Sequence, residues 1–139
     1  MRLFDTNLLI HSAKAQYAWL RPHLLRPGGY VSAISKVETL GFTRLLPVDA
    51  LYYQTLFGQM TVLPVDELVL ERAIWLRQQR KMSLGDSIIA GTALEAGISL
   101  LYTENVKDFA HIVELQVINP FDAPSAMASV SSGGTDAPF

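Results

Sequence analysis

The chain is 139 residues long, 50% hydrophobic and 17% charged, with a formal net charge of −2 and no cysteine. This length fits one domain with a substantial core, and the lack of cysteine excludes disulfides, thiolate nucleophiles and Cys-rich zinc sites. The charge balance excludes bulk attraction to nucleic acid, so any polyanion would have to be met by a local patch or a bound cation.

Arg2 to Phe4 read as a short buried strand, followed by a helix over Leu8–Ala13. Tyr17, Leu20 and Leu24 have helical spacing within Tyr17–Leu25, with Pro22 at a start or a break. Pro27-Gly28-Gly29 predicts a turn and Tyr30-Val31-Ser32 a strand. A helix is expected from Ser35 towards Leu45, and Pro47 opens another that runs to about Gln59. Thr61-Val62-Leu63 reads as a strand, and Asp66 as the N-cap of a helix with the apolar face Leu68, Ala73 and Leu76. Arg77 to Lys81 put positive charge at the end of that helix, as its macrodipole prefers. Ser83 opens a helix through Ile88, Ile89 and Ala93 that stops at Gly97. Ser99–Tyr102 and Val113–Ile118 hold the last strands. Beyond Asn119-Pro120 the chain turns rich in Ala, Ser, Gly and Pro, so residues 123–139 are expected to be a disordered tail behind a domain of residues 1–122. No apolar stretch approaches the roughly 18 residues of a membrane span, and Asp5 breaks any signal-peptide pattern. A cytoplasmic location is the expectation.

Alternating strands and helices argue for an α/β domain with a mainly parallel sheet. Ligands bind such sheets beyond the carboxyl ends of the strands. Acids fall at those places: Asp5 after the first strand, Glu38 and Asp86 in first turns of helices, and Asp108 a few residues past Thr103. Ser35-x-x-Glu38, Ser83-x-x-Asp86 and Asn105-x-x-Asp108 also read as capping boxes, which would explain three of the acids without function. Asp5 has no such account, since a carboxylate behind a buried strand is costly without a partner. If the acids converge, their repulsion calls for a cation, and Mg²⁺ suits hard oxygen ligands. Such an ion can lower the pKa of a water and stabilise charge developing on a phosphodiester.

Four pieces of the sequence together resemble the PIN-domain family, and within it the VapC-type toxins of bacterial toxin–antitoxin systems. They are Asp5-Thr6-Asn7, Glu38 within Ser35-Lys36-Val37-Glu38, Gly85-Asp86-Ser87-Ile88-Ile89-Ala90, and Leu101-Tyr102-Thr103-Glu104-Asn105-Val106-Lys107-Asp108-Phe109. The resemblance spans residues 1 to about 121. It implies a three-layer PIN-like fold, a mainly parallel central sheet flanked by helices. It also implies a Mg²⁺-dependent endoribonuclease, with Mn²⁺ as a substitute, that acts on RNA, forms a homodimer and is held inactive by an antitoxin protein. Asp5, Glu38 and Asp86 match the family's first three acids, with Asp5 and Asp86 as direct metal ligands. The family often has an acid two residues after the threonine. Here that position is Asn105, so either Asp108 serves instead or three acids suffice. Thr6, Asn7, Ser87 and Thr103 are candidates to hold waters or a carboxylate, against the bland reading of caps and local hydroxyl–backbone bonds.

Two other readings compete. Gly85-Asp86-Ser87 with Asp108-Phe109-Ala110-His111 resembles the nucleophile and Asp-x-x-His pair of GDSL-type esterases, although no apolar strand precedes Ser87. Alternatively, Asn105 marks a domain of the same fold with little or no activity that only binds a partner. His11, His23 and His111 lack metal-ligand spacing. Arg72, Arg77, Arg80 and Lys81 are open to two readings, RNA phosphate contacts or a solvated helix face. Tyr52, Tyr53 and Phe57 read as core or subunit interface.

Overall fold

The computed structural model describes residues 1–122, and the expected tail of residues 123–139 lies outside them. Five strands, β1 (Arg2–Phe4), β2 (Gly29–Ser32), β3 (Thr61–Leu63), β4 (Leu100–Tyr102) and β5 (Gln116–Ile118), form one sheet in the order β3-β2-β1-β4-β5. Each neighbouring pair is parallel, as the alternation of strands and helices predicts. The chain builds outward from β1 in one direction through β2 and β3, then returns to its other side with β4 and β5. The strand order therefore reverses between β1 and β4, the kind of crevice where α/β sheets bind ligands.

Among the described residues seven α-helices cover the two faces: α1 (Thr6–Ser12), α2 (Arg21–Leu25), α3 (Ile34–Leu40), α4 (Pro47–Gln59), α5 (Glu67–Gln79), α6 (Leu84–Ala96) and α7 (Val106–Phe109). Side chains alternate across each strand. Phe4 and Tyr102 stack at 5.4 Å and join Leu8, Leu9 and Leu20 with Tyr53 and Phe57 of α4 in one core. Leu3 and Leu101 point the other way, to Leu76 of α5, Ile89 and Ala93 of α6 and Phe109 of α7. The result is helix, sheet, helix in three layers. Gly91 lets α5 and α6 approach closely, since a Cβ there would meet the Val69 carbonyl at 2.9 Å.

Arg2 is a charged residue in the middle of this sheet and is fully buried. Its guanidinium donates to the carbonyls of His23 at 2.9 Å, Arg26 at 3.1 Å and Pro27 at 3.0 Å. These are acceptors at and just past the C-terminal end of α2, where a cation is favoured. This anchor lies at the amino end of β1, opposite Asp5.

Several boundaries differ from expectation. Tyr17–Leu25 is not one helix but a 3₁₀ segment over Ala15–Leu20 followed by α2, with Pro22 in the first turn of the second piece. The helix expected to reach Leu45 stops at Leu40, with Gly41 as its C-cap. The last strand is confined to Gln116–Ile118. The short helix α7 starts where Asn105-x-x-Asp108 signals a cap, although the Asn105 side chain makes no capping bond, and it is too short to show apolar periodicity. Among the described residues no helix is long and apolar enough to cross a membrane.

Candidate metal centre

The site begins where β1 ends. Asp5 N–H continues the ladder by donating to the Tyr102 carbonyl at 2.9 Å, so β1 and β4 deliver Asp5 and Thr103 to the same edge. Asp5 is extended and caps α1, its Oδ1 accepting the Thr6 N–H at 2.8 Å. Its Oδ2 accepts the Thr103 hydroxyl proton at 2.7 Å. The Thr103 hydroxyl in turn accepts the Asn105 N–H at 3.0 Å, which fixes its proton on Asp5. Asp5 is only 4% exposed and Thr103 is fully buried.

Glu38 reaches the same place from α3. Its Oε1 accepts the Thr6 hydroxyl proton at 2.6 Å, and the Ser35 and Thr6 hydroxyls lie 2.8 Å apart. With Thr6 donating to Glu38, Ser35 donates to Thr6. This corrects the capping-box reading of Ser35-x-x-Glu38: the N-cap of α3 is Ala33, and Ser35 lies inside the helix. The second oxygen of Glu38 faces the start of α6, where a Cβ on Gly85 would come within 2.8 Å of it. The missing side chain of Gly85 leaves room for Glu38.

Asp86 stands in the first turn of α6, half-buried. Ser83 does cap this helix, its hydroxyl accepting the Asp86 N–H at 3.1 Å. Asp86 is thus held at the helix start by its backbone while its carboxylate faces the other acids. Burial pushes the Asp5 carboxyl up to about 6, and the charges of Asp86 and Glu38 add to the rise against the pull of the Thr103 hydroxyl and the Thr6 N–H. Burial also raises the Asp86 carboxyl, with the charges of Asp108 and Glu38 adding to it against the Ser83 hydroxyl. Asp5, Glu38 and Asp86 therefore share one field, and Asp108 reaches it through Asp86.

These donors fit a hard divalent cation in kind: all are carboxylate oxygens, and repulsion among them is relieved by positive charge. Among the described residues no three of them stand together as a finished cage. Mg²⁺ needs only one or two carboxylates directly and keeps water elsewhere.

Other candidates separate clearly. Asn105 contributes its backbone N–H to Thr103, and its side chain does not cap α7. Asn7 sits half-buried in α1, with no side-chain hydrogen bond among the described residues. Ser87 is fully buried and spends its hydroxyl on the Leu84 carbonyl at 2.7 Å. Both ring nitrogens of His111 are buried without a hydrogen-bond partner, so no Ser87–His111 pair exists and the esterase reading fails on geometry. His11 pairs with Glu104 at 2.7 Å. In the sequence Ser35 reads only as a cap; its role in the hydroxyl chain to Glu38 depends on α1 meeting α3, which spacing does not reveal.

The family profile described as PIN domain matches residues 2–115. The chain belongs to the PIN-domain family. Its fold is shared with toxin–antitoxin structures. One is a toxin–antitoxin complex from Klebsiella pneumoniae, 29% identical with a TM-score of 0.70, over 86% of this chain and 98% of that one. Another is FitAcB from Neisseria gonorrhoeae, 26% identical with a TM-score of 0.66, over 87% and 99%. DNA-bound VapBC from Salmonella typhimurium shares the fold at 20% identity and a TM-score of 0.72, over 85% and 96%. No curated protein sequence matches the chain. The chain is thus consistent with a VapC-type PIN toxin.

Proposed function

We propose that this PIN domain is a Mg²⁺-dependent endoribonuclease and the toxin half of a toxin–antitoxin pair. The observation that carries this reading is the buried Asp5, placed at the sheet's switch point with Asp86 and Glu38 close enough to raise its pKa. Asp5 and Asp86 would hold the ion, with Glu38 bound directly or through water. When bound, Mg²⁺ supplies positive charge and a water of lowered pKa for attack on a phosphodiester. Thr103 fixes one oxygen of Asp5, and Thr6 fixes one oxygen of Glu38. Hydrolysis by water does not enlist the 2′-OH, so the products carry 5′-phosphate ends. Recovery of 2′,3′-cyclic phosphate ends would rule this chemistry out.

The direct test is a calorimetric titration with Mn²⁺ or Mg²⁺ on the native chain and on Asp86→Asn, in the presence and absence of an RNA oligonucleotide. Binding by the native chain that is lost in the variant is expected. No binding to either, with or without RNA, would move the partner-only domain, which the Asn105 position favours, to the front. Gly85→Ala is a finer probe. The added methyl displaces the end of an exposed, flexible Glu38, so thermal melting should barely change while cleavage falls by about tenfold. Unchanged cleavage would mean that the position of Glu38 is not used.

An antitoxin partner for this chain is part of the proposal, supported by the toxin–antitoxin neighbours. A homodimer is proposed as well, supported by the exposed Leu68, Ile74 and Trp75 on α5 and by Leu84 at the start of α6.

A further inference from the structure

The four basic residues Arg72, Arg77, Arg80 and Lys81 look equivalent in the sequence, but the structure divides them. Arg72 turns away and pairs with Glu95 at 2.7 Å. The other three line a cavity of about 520 Å³ together with Lys107 of α7. Its remaining charged lining is Asp86 and Asp108, the outer acids of the metal centre. Four cations thus stand against two carboxylates in a chain whose net charge is −2. Among the described residues none of these four forms an ion pair; the Arg77 Nε donates to the Met82 carbonyl at 3.2 Å. A helix-end role covers Arg77, Arg80 and Lys81 at the end of α5 and Lys107 in the last turn of α7, but it does not account for their meeting in one cavity.

The other flank of the centre has a different character. Beyond Glu38 the surface cavity is lined by apolar groups such as Phe42, Leu45 and Leu46, and there Lys14 and Arg44 are matched in number by Glu38 and Asp49. Net positive charge leads away from the acids on one side only.

We infer that Arg77, Arg80, Lys81 and Lys107 form a phosphate track that carries a polynucleotide backbone to the acidic centre at Asp86 and Asp108. This rests on the nuclease reading and adds to it the direction of approach. The track reads phosphates, so it supplies affinity and register and no base preference. It also answers the problem set by the net charge, because it attracts the chain of the substrate while the metal centre handles one phosphate.

The test measures binding of a fluorescein-labelled oligouridine RNA by anisotropy, at several KCl concentrations with and without Mg²⁺. Arg80→Glu and Lys107→Glu are each expected to weaken binding by about tenfold and to reduce the slope of log affinity against log salt by about one. Arg72→Glu, the same charge change on the neighbouring helix face, should leave both unchanged. Both target residues are exposed, and Arg80→Gln and Lys107→Gln, with smaller losses in the same order, guard against an effect of the new carboxylates. Native affinity and slope in the Arg80 and Lys107 variants, or an equal loss in Arg72→Glu, would overturn the track. If the native chain binds Mn²⁺ and RNA while these variants are unaffected, the track fails and the nuclease reading stands. If the native chain binds no oligouridine under any condition, the track fails and the metal titration alone judges the nuclease reading.

Discussion

Asp5→Asn is expected to abolish RNA cleavage, by on the order of a thousandfold or more, and to raise the melting temperature of the metal-free chain at neutral pH. Both effects come from one carboxylate. In the fold its pKa rises from an ordinary 3.8 to about 6, above all because it is buried. Its folded pKa therefore exceeds its unfolded one, and the favourable contribution of the protonated group is present below about pH 4. That contribution is lost as pH rises through 6, and the loss is roughly 3 kcal/mol by neutral pH without metal. Asparagine removes the charge while keeping an oxygen for the Thr6 N–H. The variant should melt several degrees above the native chain at pH 7.5 in EDTA and near it at pH 4. Added Mg²⁺ or Mn²⁺ should stabilise the native chain and not the variant. Thermal melts at the two pH values, each with and without metal, decide the matter. A variant that is destabilised equally at both would show that Asp5 serves the fold through its hydrogen bonds and not a cation through its charge.

Thr103→Val should produce the next largest effect. Valine has the same shape but no hydroxyl. It strips the Asp5 Oδ2 of its donor and the Asn105 N–H of its acceptor, the first of them deep in the protein. Loss of stability of about 1–3 kcal/mol is expected from the unsatisfied groups. Cleavage should fall by about ten- to hundredfold, because the carboxylate is no longer oriented. The Thr103 hydroxyl also holds the Asp5 pKa down, so its removal moves the acid limb of the pH–rate profile to higher pH. Thr103→Ser should restore both rate and profile. Full activity in the valine variant would remove Thr103 from the site.

The acids of the site were legible in the sequence, and their supports were only partly so. Asp5 stands out because a carboxylate after an apolar strand needs a reason. Asp86 and Glu38 were each open to a capping explanation, and the structure decides them differently. Asp86 keeps its Ser83 cap and still faces the acids, whereas Glu38 has no cap partner and is held by Thr6 from another helix. No local pattern encodes a bond between residues 6 and 38. The same holds for Lys107, which lies inside a recognisable stretch but joins Arg80 and Lys81 only when α7 folds beside the α5–α6 link. Strands and long helices were readable from periodicity. The early stop of α3 at Gly41 and the 3₁₀ piece over Ala15–Leu20 were not, because short segments take their form from what they pack against.

The central strand of the sheet is also the first to be synthesised. Leu3 and Phe4 wait for Leu101 and Tyr102 to complete their pairing, and Asp5 waits for a hydroxyl 98 positions further along the chain. Closure over such a distance comes late in folding. A nascent chain halted on the ribosome before β4 carries three of the acids but leaves Asp5 in water, with ordinary acidity and no Thr103 to orient it. The activity proposed for this protein therefore arises only once β4 has joined β1.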